Sequence, residues 1–297
     1  MKLQKRRSEK FACWAFLMPT LIFLAVTALF PLLYSVYLSF FRLKLNLPNQ
    51  VPVFVGLDNY VRMFSDTMLR TSTLNTLTFA FISVALEVVL GLMVAMVICS
   101  DSMWSRVATS IFMIPMIMAP VAIGTLWRMM MDSSTGVLNY FLSFFGVEGV
   151  QWLADPTMAK VSVLLVNVWQ LTPWVTVICA AGLKALPQDC IQAALVDGAT
   201  PRQIFWKIVL PLIKPVLVIV VMMRFTDAFK VFDTVYTMTN GGPGTATEML
   251  PNFIYKQGLK YYDAGYAAAL AIVFVLVMAF ITLFFLRLRK REEENVW

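Results

Sequence analysis

The sequence predicts an all-α membrane protein with six transmembrane helices and a structured cytoplasmic loop between the fourth and the fifth. Three observations lead there: 297 residues of which 60% are hydrophobic, a mean hydropathy of +0.76, and apolar runs that recur at lengths matched to a bilayer. A soluble core has too little interior to hide that much apolar surface. A helix needs about 20 apolar residues to cross roughly 30 Å of hydrocarbon. Runs of this kind fall near 11–40, 74–99, 108–131, 161–182, 212–236 and 264–286, and 1–297 reads as a single transmembrane domain.

The first run follows the basic tail MKLQKRRSEK. It is longer than the apolar region of a secretion signal and lacks a small-residue cleavage site, so it is expected to stay as an uncleaved anchor. An even number of spans places both termini on one side. The segments on that side (1–11, 100–107, 183–210, 287–297) hold 13 Lys and Arg, against 6 in the segments opposite (41–72, 132–159, 237–263). By the positive-inside rule both termini face the cytoplasm. The net charge of +7 follows from basic loops held against an anionic leaflet, with no nucleic-acid partner required.

Several chemistries drop out at once. Histidine is absent, which removes the commonest general base and metal ligand. Cys13, Cys99, Cys179 and Cys190 show no C-x-x-C spacing, so four free thiols and no metal site are expected. No G-x-x-x-x-G-K-[ST] occurs, so this chain is not expected to hydrolyse ATP through a P-loop.

The loop 184–211 is not uniformly apolar, and it carries helix signals. Pro187 suits a first helical position, Asp189 lies near the positive end of the helix dipole, and the helix should run to about Val196. Gly198 supplies a turn. Thr200, Pro201 and Gln203 form a capping box that opens a second short helix, with Ile204, Phe205, Ile208 and Val209 roughly on one face. Pro211 and Pro215 should bend it as it enters the membrane. With Ala193 and Ala194 keeping one side narrow, the pair makes either a knob for the groove of a soluble partner or an amphipathic hairpin on lipid headgroups.

The segment resembles the EAA loop in membrane subunits of ABC importers. The residues that carry the likeness are Gln192, Ala193, Ala194, Asp197, Gly198 and Ala199, followed by an apolar run ending in Leu210 and Pro211. The resemblance implies that this knob docks into a cytoplasmic ATPase and transmits its closure to the membrane helices. Gln192 stands where the family usually has Glu, so a hydrogen bond replaces a salt bridge there. FVGLDNY at 54–60, Asn75 with Thr76, and Trp127, Arg128, Gly136 and Asn139 resemble motifs of the carbohydrate-uptake branch, as does RFTDAFKVFDTVYTMTNGGPGTATE at 224–248. The implied protein is a permease subunit for a sugar or sugar-like solute in a bacterial inner membrane. Its implied partners are a second, similar permease chain in a heterodimer, two ATPase subunits that bind ATP and Mg, and an extracytoplasmic solute-binding protein. The chain itself would hold no cofactor and catalyse nothing.

Polar groups inside spans are costly and mark places to look for function. In the fourth run Asn167, Trp169, Gln170, Thr172 and Trp174 surround Pro173. Sugar hydroxyls need donors and acceptors and their C–H faces pack on rings, so these residues are candidates to line a path; alternatively they bond neighbouring helices and mark an interface belt. In the fifth run Arg224, Asp227, Lys230 and Asp233 recur every three residues. They either form a ladder along one helix face or, with Asp227 and Lys230 in a cavity, bind solute; the resemblance implies solute contacts from this helix. Glu87 reads as a helix-packing partner and Lys214 as a snorkelling side chain.

The Met-rich run broken by Pro115 and Pro120 reads as a deformable packing surface, either against a partner subunit or gating the path. TNGGPGTATE at 239–248 follows no nucleotide-binding strand and reads as an outer turn for the delivery protein. AGYAAALA at 264–271 reads as a small-residue surface for close helix contact. An ion-coupled carrier acting alone would show inverted repeats and a broken-helix ion site, and a membrane enzyme would show clustered acids or a metal set; neither pattern is present.

Overall fold

A computed structural model describes residues 14, 16–46, 51–99, 103–147 and 149–294. The basic tail, the expected start of the first span at 11, and Cys13 lie outside the described residues. Helices dominate: α1 Phe16–Ser39, α2 Asp58–Ser65, α3 Thr67–Ile98, α4 Met103–Phe112, α5 Ile114–Ile117, α6 Pro120–Met130, α7 Val137–Ser143, α8 Pro156–Lys184, α9 Gln188–Val196, α10 Pro201–Ile204, α11 Leu210–Phe229, α12 Asp233–Met238, α13 Leu250–Tyr255 and α14 Ala264–Glu294. A two-stranded antiparallel ribbon, β1 Phe41–Arg42 and β2 Val53–Phe54, pairs Phe41 with Phe54.

Among the described residues five helical stretches are long and apolar enough to cross a membrane: Phe16–Ser39, Thr67–Ile98, Pro156–Lys184, Pro201–Met238 and Ala264–Leu288. The run at 108–131 is not a continuous helix. It divides into α4, α5 and α6, with Pro115 and Pro120 each in the first turn of a new helix. The cause is local: proline has no N–H to continue the ladder, and it drives the residue before it out of the helical region. Met118 and Ala119 are extended, with ψ of 144° and 132°.

Pro211 has a different effect. The helix expected to bend there continues from α10 into α11 through a π turn at Phe205–Val209, in which the Leu210 N–H bonds to the Phe205 carbonyl. A widened turn accommodates a proline that supplies no donor.

The chain forms two compact units. The first comprises Met1–Asp66 and Ile254–Leu276. Within it, the Asn59 amide donates to the Ser39 and Phe41 carbonyls at 2.8 and 3.0 Å, and the Tyr60 hydroxyl donates to the Ser39 hydroxyl at 2.7 Å. These bonds satisfy carbonyls left open where α1 ends. Arg62 pairs with Asp263 at 2.7 Å and lies 3.9 Å from the centre of the Tyr266 ring, whose hydroxyl donates to Asp66 at 2.7 Å. The α1 stretch Phe16–Ser39 has none of its most apolar window buried by the rest of the chain.

The second unit comprises Thr67–Phe253 and Val277–Trp297. Its helices enclose two apolar clusters. Phe79, Ile123, Val163, Val166, Val235 and Met238 form one; Leu92, Ala95, Val175, Cys179, Ile213 and Val220 form the other. Close approach of α3 to α8 depends on Gly91, where a Cβ would meet Val175 Cγ1 at 2.6 Å and the Thr176 nitrogen at 3.2 Å. Gly91→Val therefore overpacks a helix interface, at a cost of about 1–3 kcal/mol. The thermal midpoint of the detergent-solubilised protein, followed by tryptophan fluorescence, is expected to fall; an unchanged midpoint would mean that the two helices do not meet at this glycine.

Candidate functional site

The polar centre of the second unit is built on an ion pair between α3 and α11. Arg224 Nε donates to Glu87 Oε2 at 2.8 Å, and its Nη2 reaches Glu87 Oε1 at 3.4 Å. This two-point geometry is what a planar guanidinium offers a carboxylate. On its other side Arg224 Nη1 lies 3.5 Å from Asp227 Oδ2, and Lys230 Nζ lies 3.4 Å from Asp227 Oδ1. The row runs from sealed to wet: side-chain exposure is 0% at Glu87 and 4% at Arg224, then 53% at Asp227 and 50% at Lys230. The ladder stops there. α11 ends at Phe229 with Lys230 as its C-cap, and Asp233 opens α12 as an exposed residue in that helix's first turn, where the dipole favours a carboxylate. The expected single face from Arg224 to Asp233 is thus cut by the end of one helix and the start of another.

The polar residues of α8 are divided among several surroundings. Asn167, Gln170 and Thr172 are buried. The Gln170 amide approaches the Met118 carbonyl at 3.5 Å, at the break before α6. Thr172 and Thr176 donate to carbonyls one turn back, Val168 and Thr172, at 2.6 and 2.9 Å, beside Pro173, which supplies no donor of its own. Trp174 packs into the cluster around Val175 and Ile213. Trp169 is exposed and stacks edge-on against Trp127, ring centres 5.3 Å apart. Among the described residues, the buried Asn167 Oδ1 and Trp127 Nε1 have no hydrogen-bond partner.

Several of the motifs that carry the family likeness hold turns in place. Asn75 donates to the Thr245 and Glu248 carbonyls at 3.0 and 3.2 Å, and the Thr76 hydroxyl accepts the Leu250 N–H at 2.8 Å. Together they pin the 239–248 turn to α3. Within that turn Gly241 has φ +84° and leaves no room for a Cβ beside the Glu248 carboxylate. Asn139 donates to the Val150 carbonyl at 3.0 Å and accepts from Trp152 Nε1 at 2.9 Å. Asp132 caps the turn before α7: hydrogen bonds from the Thr135 amide, the Ser134 hydroxyl and amide, and the Thr135 hydroxyl hold its carboxyl well below the usual range.

The loop 184–211 is an elbow with both arms locked. At the end of α9 the Ala199 N–H bonds to the Ala194 carbonyl at 2.9 Å and the Gly198 N–H to the Leu195 carbonyl at 3.1 Å, with Gly198 at φ +77°. That is a Schellman closure, which needs a left-handed residue. The capping box then opens α10: Thr200 N–H donates to Gln203 Oε1 at 2.8 Å and Gln203 N–H to the Thr200 hydroxyl at 3.4 Å. Gln192, Ala193 and Asp197 are exposed on the first arm. Its tip shows apolar surface, with Leu195 56% and Val196 88% exposed. From Pro201 the second arm runs through Leu210 and Pro211 into α11.

These features define an integral membrane protein with charges sealed inside its helices and a rigid apolar-tipped elbow outside them. The family model for the inner-membrane component of binding-protein-dependent transport systems matches residues 87–293, and the chain belongs to that family. The trehalose/maltose transport system permease protein MalF of Thermococcus litoralis is 36% identical over 280 residues, 93% of this chain and 92% of the relative. The sulfoquinovosyl glycerol transport system permease protein SmoG of Agrobacterium fabrum is 32% identical over 93% of this chain and 90% of its own. A crystal structure of a bacterial ABC transporter involved in import of the acidic polysaccharide alginate matches with a TM-score of 0.83 at 23% identity, covering 98% of this chain and 99% of that one. The fold is that of an ABC permease, and the chain is a transport subunit of an ABC importer, not an enzyme.

Sequence reasoning left Glu87 without a named partner and placed Arg224 in an intrahelical row. The signal was present, since two lone opposite charges in separate apolar runs have few other ways to be tolerated. Removing one member of a buried pair strands the other at a cost of about 3–5 kcal/mol. Glu87→Leu alone is therefore expected to lower thermal stability sharply in detergent, and Glu87→Leu with Arg224→Met to recover most of the loss. A single variant as stable as the parent would contradict the pairing.

Proposed function

We propose that this chain is one of two similar but different permease subunits of an importer for a sugar or sugar-like solute in a bacterial inner membrane, with both termini cytoplasmic. In this reading the chain crosses six times, the broken 108–131 run supplying the third crossing, and 1–297 acts as one transmembrane domain. A solute-binding protein delivers from outside, and two cytoplasmic ATPase subunits bind ATP and Mg. Asn167, Trp169, Gln170, Thr172, Trp174, Asp227, Lys230 and Asp233 form or border the path. Gln192, Ala193, Ala194, Asp197, Gly198, Ala199, Leu210 and Pro211 couple it to the ATPases.

The observation that carries this reading is the elbow. Its two arms are fixed at an angle by a Schellman closure and a capping box, its tip presents exposed Leu195 and Val196, and its second arm is continuous with the helix that bears Arg224 and Asp227. A force applied at such a tip is delivered along a helix rather than absorbed in a loop. ATP binding would draw the elbows together and open the cavity outward, and hydrolysis would reset it. The likeness to a trehalose/maltose permease supports the sugar class. An ion-coupled carrier acting alone would have no use for a rigid cytoplasmic elbow.

Gly198→Pro tests the coupling. Proline cannot take φ near +77° and removes the N–H bonded to Leu195, so the elbow angle is lost. In a reconstituted importer the variant is expected to lose solute-stimulated ATP hydrolysis while the two permease chains still copurify. Uptake at the parent rate would rule the coupling role out.

A further inference from the structure

Membership of the family leaves the charge of the solute open, and the half-exposed end of α11 bears on it. We infer that the Asp227–Lys230 site selects an uncharged, polyhydroxylated solute and excludes phosphorylated, sulfonated and uronic ones. This rests on the importer function proposed above and adds a substrate class to it.

Half-exposed Asp and Lys side chains on a membrane helix face water or protein rather than hydrocarbon. An Arg and a Lys close together in one span would ordinarily read as a receptor for an anion. Here neither carries surplus charge. Arg224 is turned inward onto Glu87, and Asp227 lies between Arg224 and Lys230 at 3.5 and 3.4 Å. Arg128, whose Nη1 reaches the Thr237 carbonyl of α12 at 3.4 Å, and Asp233, at the start of that helix, add one charge of each sign. An anionic solute would meet no surplus positive charge there, and to reach Lys230 it would have to sit beside the Asp227 carboxylate that already holds it. A hydroxylated neutral solute needs no surplus charge: the Asp227 oxygens accept from its hydroxyls and the Lys230 ammonium donates to them while the pair stays closed, giving charge-assisted hydrogen bonds of defined geometry.

The test uses the assembled importer, with its delivery protein, in proteoliposomes. Trehalose and maltotriose are the neutral probes; glycerol 3-phosphate and trigalacturonate are the anionic ones. Import of at least one neutral probe and of neither anionic one is expected. Asp227→Asn and Lys230→Met each remove a partner of the solute hydroxyls and should slow import of that neutral probe about tenfold, and the double variant, neutral again but without both partners, should stay slow. These changes leave the sealed Glu87–Arg224 pair in place. Import of an anionic probe, or single variants that import the neutral probe at the parent rate, overturns the inference while the importer reading stands. Absence of nucleotide-driven import of any probe overturns both.

Discussion

A guanidinium and a carboxylate, paired where no water reaches them, constrain everything else in the membrane unit. Arg224 is nearly sealed and Glu87 fully so. In a medium of low dielectric neither charge is tolerable without the other. The pair therefore sets the register of α11 against α3: a slip of one turn would leave both charges stranded. Because α11 continues through the π turn into α10, the same register positions the elbow. From Pro201 to Arg224 the helix spans about 35 Å at about 1.5 Å per residue. In the proposed coupling, a displacement at the elbow and a displacement beside Asp227 are two ends of one motion.

The arrangement also separates what is rigid from what can change. Glu87 and Arg224 are buried, and Phe225, next to Arg224 in sequence, packs edge-on against Phe81 at 5.0 Å and tilted against Phe285 at 5.8 Å between ring centres. Asp227 and Lys230 lie one turn further out and half in solvent. A sealed pair thus fixes the helices, and an exposed pair beside it is open to solvent. The helix ends at Phe229, between Asp227 and Lys230.

Much of this was legible in the residues. The apolar runs near 11–40, 74–99, 161–182 and 264–286 coincide with helices at 16–39, 67–98, 156–184 and 264–294, because a bilayer imposes length more strictly than a soluble core does. The elbow was legible in detail, from Gly198 through the Thr200–Gln203 capping box, because caps and left-handed turns depend on the residues themselves. Two features were not. Hydropathy cannot distinguish a span from a run that Pro115 and Pro120 divide, since prolines count little in an average yet end a hydrogen-bond ladder. Periodicity placed Arg224, Asp227, Lys230 and Asp233 on one face because it assumes an unbroken helix; the end at Phe229 and the reach of Arg224 to Glu87 across 137 residues of sequence are tertiary facts. Motifs such as Asn75–Thr76 and Gly136-x-x-Asn139 were visible as patterns, but their task of pinning turns showed only once the carbonyls they serve were in place.

The central claim is that the Ala194–Gly198 elbow is gripped by a nucleotide-driven partner and that the charged helix follows it. A photo-crosslinking amino acid at Val196, the most exposed apolar position at the tip, addresses this directly in membranes of cells that make the whole importer. The account predicts a covalent adduct with a cytoplasmic ATPase subunit, with a yield that changes when ATP is trapped. Adducts with lipid alone, or labelling of that position by a reagent confined to the outside of the cell, would contradict it.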